Sequence, residues 1–194
     1  MNKKEINELD DEKLVKMVQD GNDMLAFEIL VRRYQNMLYN ICFRFMTDRQ
    51  DAFDCAQDSF IKAYENIRTF RHLSSFKTWL YRIAVNVCKN RLRSCQYRTR
   101  KKTVYIEDKT IDIEDCSNCP AQQYERERRQ KIVQSAIDRL PFDQKQMIVL
   151  RDIEQLSYEE IEKITGFPSG TVKSKLSRAR EKLKELLKDT KNEL

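Results

Sequence analysis

Positively charged side chains dominate the segment from Arg71 to Lys102, which holds ten Lys and Arg residues and no acid. The segment from Glu107 to Asp115 then contains five acids, so the charge is segregated along the chain. A basic block of this size typically faces a polyanion, most often nucleic acid. The alternative is a solvated helix face without a partner.

A second candidate for nucleic-acid binding lies near the C-terminus. Ser157-x-x-Glu160 before an apolar run is a capping box that begins a helix, and Gly166 ends that helix by allowing a left-handed turn. A further helix is expected from Thr171 to about Lys188. Apolar residues at packing distance on the two helices are Ile161, Ile164, Val172, Leu176 and Ala179. This pattern predicts a helix-turn-helix, whose second helix enters the major groove.

The outer face of that second helix combines short hydroxyls with long cations, which suits base edges and phosphates. Its residues are Lys173, Ser174, Ser177, Arg178 and Lys184. An ordinary helical hairpin with a solvated basic face is the alternative. Cap, turn, core spacing and cation placement agree with one another, and this agreement favours the helix-turn-helix.

Cysteine chemistry offers a different class of function, a thiol enzyme or a zinc protein built on Cys116-x-x-Cys119. The motif lies in an acidic segment without the strand–helix context of a redox fold, and zinc needs two further ligands. The candidates for them are His72, Cys88 and Cys95, whose spacing matches no known site. We therefore predict neither a metal nor a cofactor. Cys42, Cys55 and Cys88 lie in apolar helical stripes and are expected in the core.

Helices are expected to position all these residues, because Gly and Pro number only three each and turns of a β-rich fold need them. Apolar periodicity predicts four helices between residues 11 and 94, with residues 76–94 as the last. Periodicity fails over residues 95–123, which we interpret as a flexible linker. The prediction is an all-α protein with a four-helix domain (1–94) and a helix-turn-helix domain (124–194).

No stretch reaches the ~20 apolar residues that a membrane span needs. The first residues are polar and lack the apolar core of a signal peptide. We therefore expect a cytoplasmic protein with reduced thiols.

Three segments resemble those of the extracytoplasmic-function (ECF) sigma factors of the sigma-70 family. Residues 51–64 are similar to the family's polymerase-binding helix, and residues 70–86 to its promoter-melting segment. Residues 156–183, with Pro168-Ser169-Gly170-Thr171-Val172-Lys173-Ser174 at the turn, are similar to its helix-turn-helix. The resemblance covers roughly residues 23–187 apart from the linker. It implies an alternative sigma factor that binds core RNA polymerase, opens a promoter and has no catalytic site or small-molecule substrate.

The resemblance also implies a role for each segment. The first would bind the polymerase β′ coiled coil through Asp51, Asp54, Gln57, Asp58, Phe60 and Lys62. In the second, a loop would capture a base extruded from the minus-ten element, aromatic rings would stack at the fork, and the last helix would follow the phosphates. Its residues are Phe70, Arg71, His72, Ser74, Ser75, Lys77, Trp79, Tyr81, Arg82, Asn86, Lys89, Asn90 and Arg93.

The third segment would read the minus-thirty-five element. Its expected contacts are Ser169, Gly170, Thr171, Lys173, Ser174, Lys175, Ser177 and Arg178, with Arg180 and Lys184 as additional phosphate contacts. Three features depart from the family pattern: Phe53 stands where an acid is common, Arg71-His72-Leu73 replaces Arg-Gly-Glu, and Ser169 replaces an apolar residue. The base preference of the loop therefore does not carry over.

The implied partners are core RNA polymerase, through its β′ coiled coil and β flap, promoter DNA, and an anti-sigma factor that is typically membrane-associated. A free-standing helix-turn-helix regulator remains an alternative. It accounts for the C-terminal half but gives no role to the acidic residues 51–58 or to the segment from Phe70 to Arg93.

Overall fold

The computed structural model describes residues 3–94, 128–129 and 132–192. Every regular element in these ranges is helical, as the low Gly and Pro content predicts. The expected linker, residues 95–123 with Cys95, Cys116 and Cys119, lies outside the described residues.

The first domain, residues 3–94, contains five α-helices, one more than the sequence predicts. The additional one is the short α1 (Lys3–Asn7). It is followed by α2 (Asp11–Gly21), α3 (Met24–Met46), α4 (Arg49–Asn66), a 3-10 turn (Ile67–Thr69) and α5 (Phe76–Arg93).

Short polar side chains fix where these helices begin. Asp10, Asp23, Asp48 and Ser75 each precede a helix with extended backbone and accept a hydrogen bond from a backbone N–H of its first turn. Such caps satisfy donors that the helix itself leaves unpaired. Ser75 thereby sets the register of α5, the helix that carries the basic face.

The long helices α3, α4 and α5 pack against one another, and α2 packs on α3. Their apolar stripes meet in a core that includes Leu30, Leu38, Ile41 and Leu80, all fully buried. Cys42, Cys55 and Cys88 are buried free thiols in the same core, as predicted. Burial of this apolar surface holds the bundle together and leaves one face of α4 and one face of α5 in solvent.

The second domain, residues 132–192, begins with a helical stretch, α6, over residues 132–138. Then come α7 (Phe142–Ile148), a π-helical turn (Val149–Ile153), α8 (Tyr158–Thr165) and α9 (Ser169–Asn192). From the sequence, Pro141-Phe142 predicts the start of a single helix from Asp143 to about Asp152, where the structure has α7 followed by the π-helical turn. The 3.6-residue period of an α-helix does not predict the π-helical turn, because each of its hydrogen bonds spans one residue more than in an α-helix.

The predicted helix-turn-helix is formed by α8 and α9. All five residues expected in its core, Ile161, Ile164, Val172, Leu176 and Ala179, are buried. Gly166 has φ of 75°, the left-handed conformation that ends α8. The second helix begins at Ser169, two residues earlier than predicted.

Candidate nucleic-acid and polymerase interfaces

The loop between the 3-10 turn and α5 stands on an aromatic cluster. Phe70 is buried, and its ring centroid lies 5.1 Å from that of Trp79 and 6.2 Å from that of Phe76. Trp79 and Phe76 are 5.8 Å apart. Of the rings predicted to meet DNA, Phe70 therefore supports the loop, whereas Trp79 is half-buried at the edge of the cluster.

Arg71, His72 and Leu73 project from this support into solvent, and Leu73 is 78% exposed. His72 has φ of 56°, in the left-handed region that residues other than glycine adopt uncommonly, although histidine tolerates it better than most. Its ring centroid lies 4.7 Å from that of Phe70. The residues that replace Arg-Gly-Glu thus form the tip of the loop, and His72 takes the backbone conformation that glycine would favour.

Gln19, on α2, holds this loop in place and was not predicted from the sequence. Its Nε2 donates to the carbonyl oxygens of Ile67 and Phe70, at 2.7 and 2.9 Å. Its Oε1 lies 3.3 Å from Nε2 of His72. One side chain therefore ties α2 to both ends of the turn that presents the loop.

The outer face of α5 is polar and basic, as predicted. Its exposed members are Lys77, Arg82, Asn86, Asn90 and Arg93, and Lys89 is half-buried with its Nζ 5.8 Å above the ring of Phe142. Ser75 is exposed and caps the helix, while Ser74 is half-buried. This face can contact a phosphate backbone along its length.

Tyr81 differs from its neighbours because it is 1% exposed. Its hydroxyl donates to Oε2 of Glu154, in the second domain, at 2.5 Å. Burial, with the hydrogen bond to this carboxylate as a second cause, raises the pKa of Tyr81 well above its ordinary value. In this conformation Tyr81 is not available to stack on a base.

The acids of α4 do not all face solvent. Asp51 is buried, and Nη2 of Arg91 lies 3.2 Å from its Oδ1 and 3.4 Å from Oδ2 of Asp54. The hydrogen bond to Asp51 raises the pKa of Arg91. Arg91 thus balances the charge of Asp51 and also contacts the half-buried Asp54, whereas Asp58 is exposed to solvent.

Other side chains of α4 complete the face. Gln57 and Lys62 are exposed, and Phe60 is half-buried against the core. Phe53 and Ile61, at 50% and 57% exposure, add apolar area beside the acids. The surface is therefore amphipathic rather than uniformly acidic.

The N-terminal half of α9 presents the predicted groove-reading residues. Lys173, Ser174, Ser177 and Arg178 are exposed, together with Gly170, while Ser169 and Thr171 are half-buried at the start of the helix. Nζ of Lys173 also lies 5.7 Å above the ring of Tyr158.

Two cations of α9 turn toward their own domain instead. Lys175 lies 3.6 Å from Asp143 and 4.8 Å above the ring of Phe167. Arg180 makes a two-pronged contact with the carboxylate of Asp152, at 2.5 and 3.1 Å. Their charges are partly balanced within the protein, unlike that of Arg178, which projects into solvent.

The capping box orients α8 as the sequence predicts. The backbone N–H of Ser157 donates to Oε2 of Glu160 at 2.8 Å, and the N–H of Glu160 donates to the Ser157 hydroxyl at 3.2 Å. The backbone hydrogen bond from Ser157 is the largest cause that lowers the pKa of Glu160.

Of the cysteine and histidine residues considered for zinc, His72 lies on the exposed loop and Cys88 in the core. No group of three or more His, Cys, Asp or Glu able to hold a metal ion occurs among the described residues. No helix in the described ranges is long and apolar enough to cross a membrane.

Comparison with known proteins assigns both domains to one family. Residues 30–99 match the model of sigma-70 region 2, and residues 130–183 match that of sigma-70 region 4. The chain is 42% identical to the ECF RNA polymerase sigma-E factor of Haemophilus influenzae, over 90% of this chain and 93% of the relative. It is 40% identical to the RNA polymerase sigma-H factor of Pseudomonas aeruginosa, over 91% and 93%.

A solved structure agrees with these relatives. The sigma factor RpoE of Bartonella quintana, in a co-crystal structure with the anti-sigma factor NepR, is similar with a TM-score of 0.64 and 28% identity. The similarity covers 84% of this chain and 96% of that one. The chain belongs to the ECF family of RNA polymerase sigma factors, which direct promoter-specific transcription initiation.

Proposed function

We propose that three exposed surfaces divide the work of initiation, and that the first of them, the outer face of α4, binds core RNA polymerase. The exposed Asp58 and the half-buried Asp54, which Arg91 contacts, would offer negative charge to a basic coiled coil of the β′ subunit, with Gln57 and Lys62 beside them. Complementary charge of this kind steers encounter and fixes orientation. The exposed side chains of Phe53 and Ile61 would add apolar contact. This contact would compensate for the acidic residue that is common in the family where this chain has Phe53.

The second surface would melt the promoter. The loop tip, Arg71–Leu73, would capture a base of the minus-ten element, and Trp79 would stack at the fork. Stacking contributes ~1–3 kcal/mol per base, comparable to the few kcal/mol that flipping a base costs. Capture of the opened DNA therefore needs no separate source of energy. The basic face of α5 would follow the phosphates.

The third surface is the N-terminal half of α9, which would lie in the major groove of the minus-thirty-five element. Lys173 and Arg178 supply long cations, and Ser174 and Ser177 supply hydroxyls on the same exposed face. Ser169, Gly170 and Thr171 would approach the backbone at the helix start, where N–H groups attract phosphate. Lys175 would have to leave Asp143 before it could contact DNA.

The division of the chain follows from these surfaces. Residues 1–94 would act as the polymerase-binding and melting domain, residues 124–194 as the helix-turn-helix domain, and residues 95–123 as their linker. Each surface binds rather than reacts, so we infer a non-enzymatic factor that works in the cytoplasm, where polymerase and promoter are. In this assignment, the second domain also contacts the β flap of the polymerase.

An anti-sigma factor is a further proposed partner. The similar structure from Bartonella quintana holds a sigma factor together with its anti-sigma factor. We propose that a membrane-associated protein of this class binds the present chain and covers its polymerase-binding and DNA-binding surfaces.

One observation carries the proposal: a single chain presents an acidic face on α4 and basic faces on α5 and α9. A reconstituted transcription experiment tests it: purified chain, sigma-free core polymerase and a genomic fragment library, followed by sequencing of run-off products. We expect start sites that share two upstream elements. Binding to DNA alone, without binding to core and without transcripts, would instead support the free-standing regulator.

A charge-reversal pair sharpens this experiment. The Asp54→Lys/Asp58→Lys variant should lose binding to core polymerase and yield no specific transcripts. Glu12→Lys, at an exposed acid of α2, makes the same type of change away from the proposed surface and should behave like the unaltered chain. Equal activity of all three proteins would contradict the assignment of α4.

A further inference from the structure

Three thiols meet inside the first domain, one from each of its long helices. Cys42 lies on α3, Cys55 on α4 and Cys88 on α5, and none of them is more than 1% exposed. Cys88 is hydrogen-bonded to both of the others, so the three sulfur atoms form a chain with Cys88 in the middle. All three are free thiols, and none of the proposed binding surfaces uses them.

The packing of α4 allows Cys55 and Cys88 to come close together. Apart from Asp51, the buried face of α4 consists of small side chains, which are Ala52, Cys55, Ala56, Ser59 and Ala63. Helix α4 packs against both α3 and α5, and small side chains at such a contact let the helix axes approach. A disulfide requires this approach, because its two Cα atoms lie about 4.4–6.8 Å apart.

Cys55 has the character of a reactive thiol despite its burial. A hydrogen bond from Cys88 is the main cause that lowers the pKa of Cys55, and the guanidinium of Arg91 lowers it further, although burial opposes both. Burial without such partners raises the pKa of a thiol and leaves it protonated and inert. The Cys55 thiolate is instead stabilised by one donor and one cation.

Cys88 has the opposite character. Its hydrogen bonds with Cys42 and Cys55, together with burial, raise the pKa of Cys88 well above its ordinary value. Cys88 therefore keeps its proton where Cys55 loses one. Two unlike thiols suit a stepwise oxidation, in which the more acidic thiol reacts with the oxidant and the other then attacks the oxidised sulfur.

A small oxidant can reach Cys55 from the surface between α4 and α5. Nη2 of Arg91 lies 3.2 Å from Oδ1 of Asp51 there, and both groups act electrostatically on Cys55, as does the exposed Asp58. The Arg91 side chain is 39% exposed. Side chains that water reaches change rotamer within nanoseconds, and such motion opens a path for a molecule as small as hydrogen peroxide.

We propose that Cys55 and Cys88 form a peroxide-sensitive site, at which hydrogen peroxide is reduced and a disulfide joins α4 to α5. The Cys55 thiolate attacks one peroxide oxygen and breaks the O–O bond. This step leaves a sulfenic acid on Cys55 and releases hydroxide, which the proton lost by Cys55 converts to water. Cys88 then attacks the Cys55 sulfur, and the S–O bond breaks as the S–S bond forms. The proton of Cys88 leaves with the departing hydroxide as a second water.

The disulfide would shift α4 from its buried side. Sulfur atoms that are only hydrogen-bonded lie farther apart than the ~2.05 Å of the covalent bond. A close-packed core transmits the movement that closes this gap. Because α4 carries the proposed polymerase-binding face, oxidation would act on that face from behind. This consequence rests on the proposed function, whereas the thiol site itself does not.

Peptide mapping of the full chain after treatment with hydrogen peroxide tests the site. Trypsin cleaves after Lys and Arg, so it separates Cys42, Cys55 and Cys88 into residues 34–44, 50–62 and 83–89. Remaining thiols are first blocked with N-ethylmaleimide. We expect residues 50–62 linked to residues 83–89, with a mass about 2 Da below the sum of the two peptides because two thiol hydrogens are lost. The linked pair should disappear on treatment with dithiothreitol.

One outcome of this mapping would overturn the proposal directly. Both peptides would keep their free thiols at a peroxide concentration that converts free cysteine to cystine. A link that forms only in urea would overturn it too, because the helices would then not hold the two thiols together. Neither outcome depends on whether the chain supports transcription, so this proposal and the proposed function fail separately.

Two serine variants distinguish the site from unspecific oxidation. Cys88→Ser keeps a hydrogen-bond donor for Cys55 but removes the second sulfur. Oxidation should therefore stop at the Cys55 sulfenic acid, which dimedone traps on residues 50–62. Cys42→Ser makes the same change at an equally buried thiol and should still form the link between Cys55 and Cys88. Loss of this link in Cys42→Ser, or no dimedone adduct in Cys88→Ser, would contradict the roles assigned to the two thiols.

Discussion

Nε2 of Gln19 donates to two backbone carbonyls, those of Ile67 and Phe70, across 48 and 51 residues of sequence. Turn carbonyls that face a neighbouring helix need a donor, since a buried acceptor without one costs free energy. Gln19 therefore fixes the approach to the loop that the proposed function assigns to base capture. It acts as a positioning residue, because its side chain contacts the loop backbone rather than the proposed DNA surface.

Gln19→Glu tests this role with little change in shape, since a carboxylate cannot donate to either carbonyl. We expect promoter opening to fall about tenfold, with unfolding destabilised by ~1–3 kcal/mol. Opening is measured with a fluorescent base in the minus-ten element, and stability by urea unfolding. Gln35→Glu, the same change at an exposed position of α3, should alter neither. If Gln19→Glu loses stability but opens promoters normally, the residue is structural and does not position the loop.

The pairing of Arg91 with Asp51 and Asp54 yields a second prediction, about stability. Arg91→Met leaves the buried carboxylate of Asp51 without its cation, and we expect a loss of ~1–2 kcal/mol. The value is moderate because Arg91 is 39% exposed and its charge is screened by water. Urea unfolding measures this loss of stability, with Trp79 fluorescence as the signal of the first domain.

A double-mutant cycle separates the ion pair from simple loss of packing. Asp51→Asn in the Arg91→Met background removes the unpaired charge, so the double variant should be more stable than Arg91→Met alone. Additive effects of the two substitutions would show that Arg91 and Asp51 do not interact in solution.

A third prediction concerns pH and the capping box. Because Ser157 lowers the pKa of Glu160, the folded state holds this carboxylate ionised at lower pH than the unfolded chain does. Its contribution is fully present above the ordinary pKa of the carboxyl, 4.5, and disappears as pH falls through the lowered value in the folded protein.

The comparison with Glu160→Gln isolates this contribution. A glutamine side chain can still accept the Ser157 hydrogen bond but carries no charge. The difference in unfolding free energy between the unaltered chain and Glu160→Gln should therefore shrink as pH falls below 4.5. A difference that stays constant from neutral to acidic pH would contradict the charged capping box.

Local chemistry explains which features were predictable from the sequence. The Ser157–Glu160 box, Gly166 and the apolar residues of α8 and α9 are all determined within one or two helical turns, and the structure confirms them. The caps at Asp23 and Ser75 are local in the same sense.

Contacts between distant segments explain what was missed. Gln19, Arg91 and the burial of Tyr81 all depend on partners about 40 to 73 residues away, and no periodicity encodes such a partner. Tyr81 has the spacing of a helix residue at the border of the polar face. Whether that border is open to solvent depends on the second domain, whose Glu154 accepts the hydrogen bond of the Tyr81 hydroxyl.

Two neighbouring arginines of α9 give the last prediction, since they differ in what they touch. Arg178 is exposed, whereas Arg180 is held by both carboxylate oxygens of Asp152. Arg178→Gln should weaken binding to a minus-thirty-five duplex and reduce the salt dependence by about one phosphate contact. Arg180→Gln should leave DNA binding nearly unchanged and lower stability by less than ~1 kcal/mol, because this ion pair is at the surface.

The measurement is anisotropy of a labelled duplex, selected from the start sites found with core polymerase, over a series of salt concentrations. Both variants lose one positive charge from the same helix, so each controls for the other's effect on long-range attraction. If Arg180→Gln reduces the salt dependence of binding as much as Arg178→Gln does, Asp152 releases Arg180 to the DNA. In that case the inner cations of α9, including Lys175, would belong to the phosphate-binding surface.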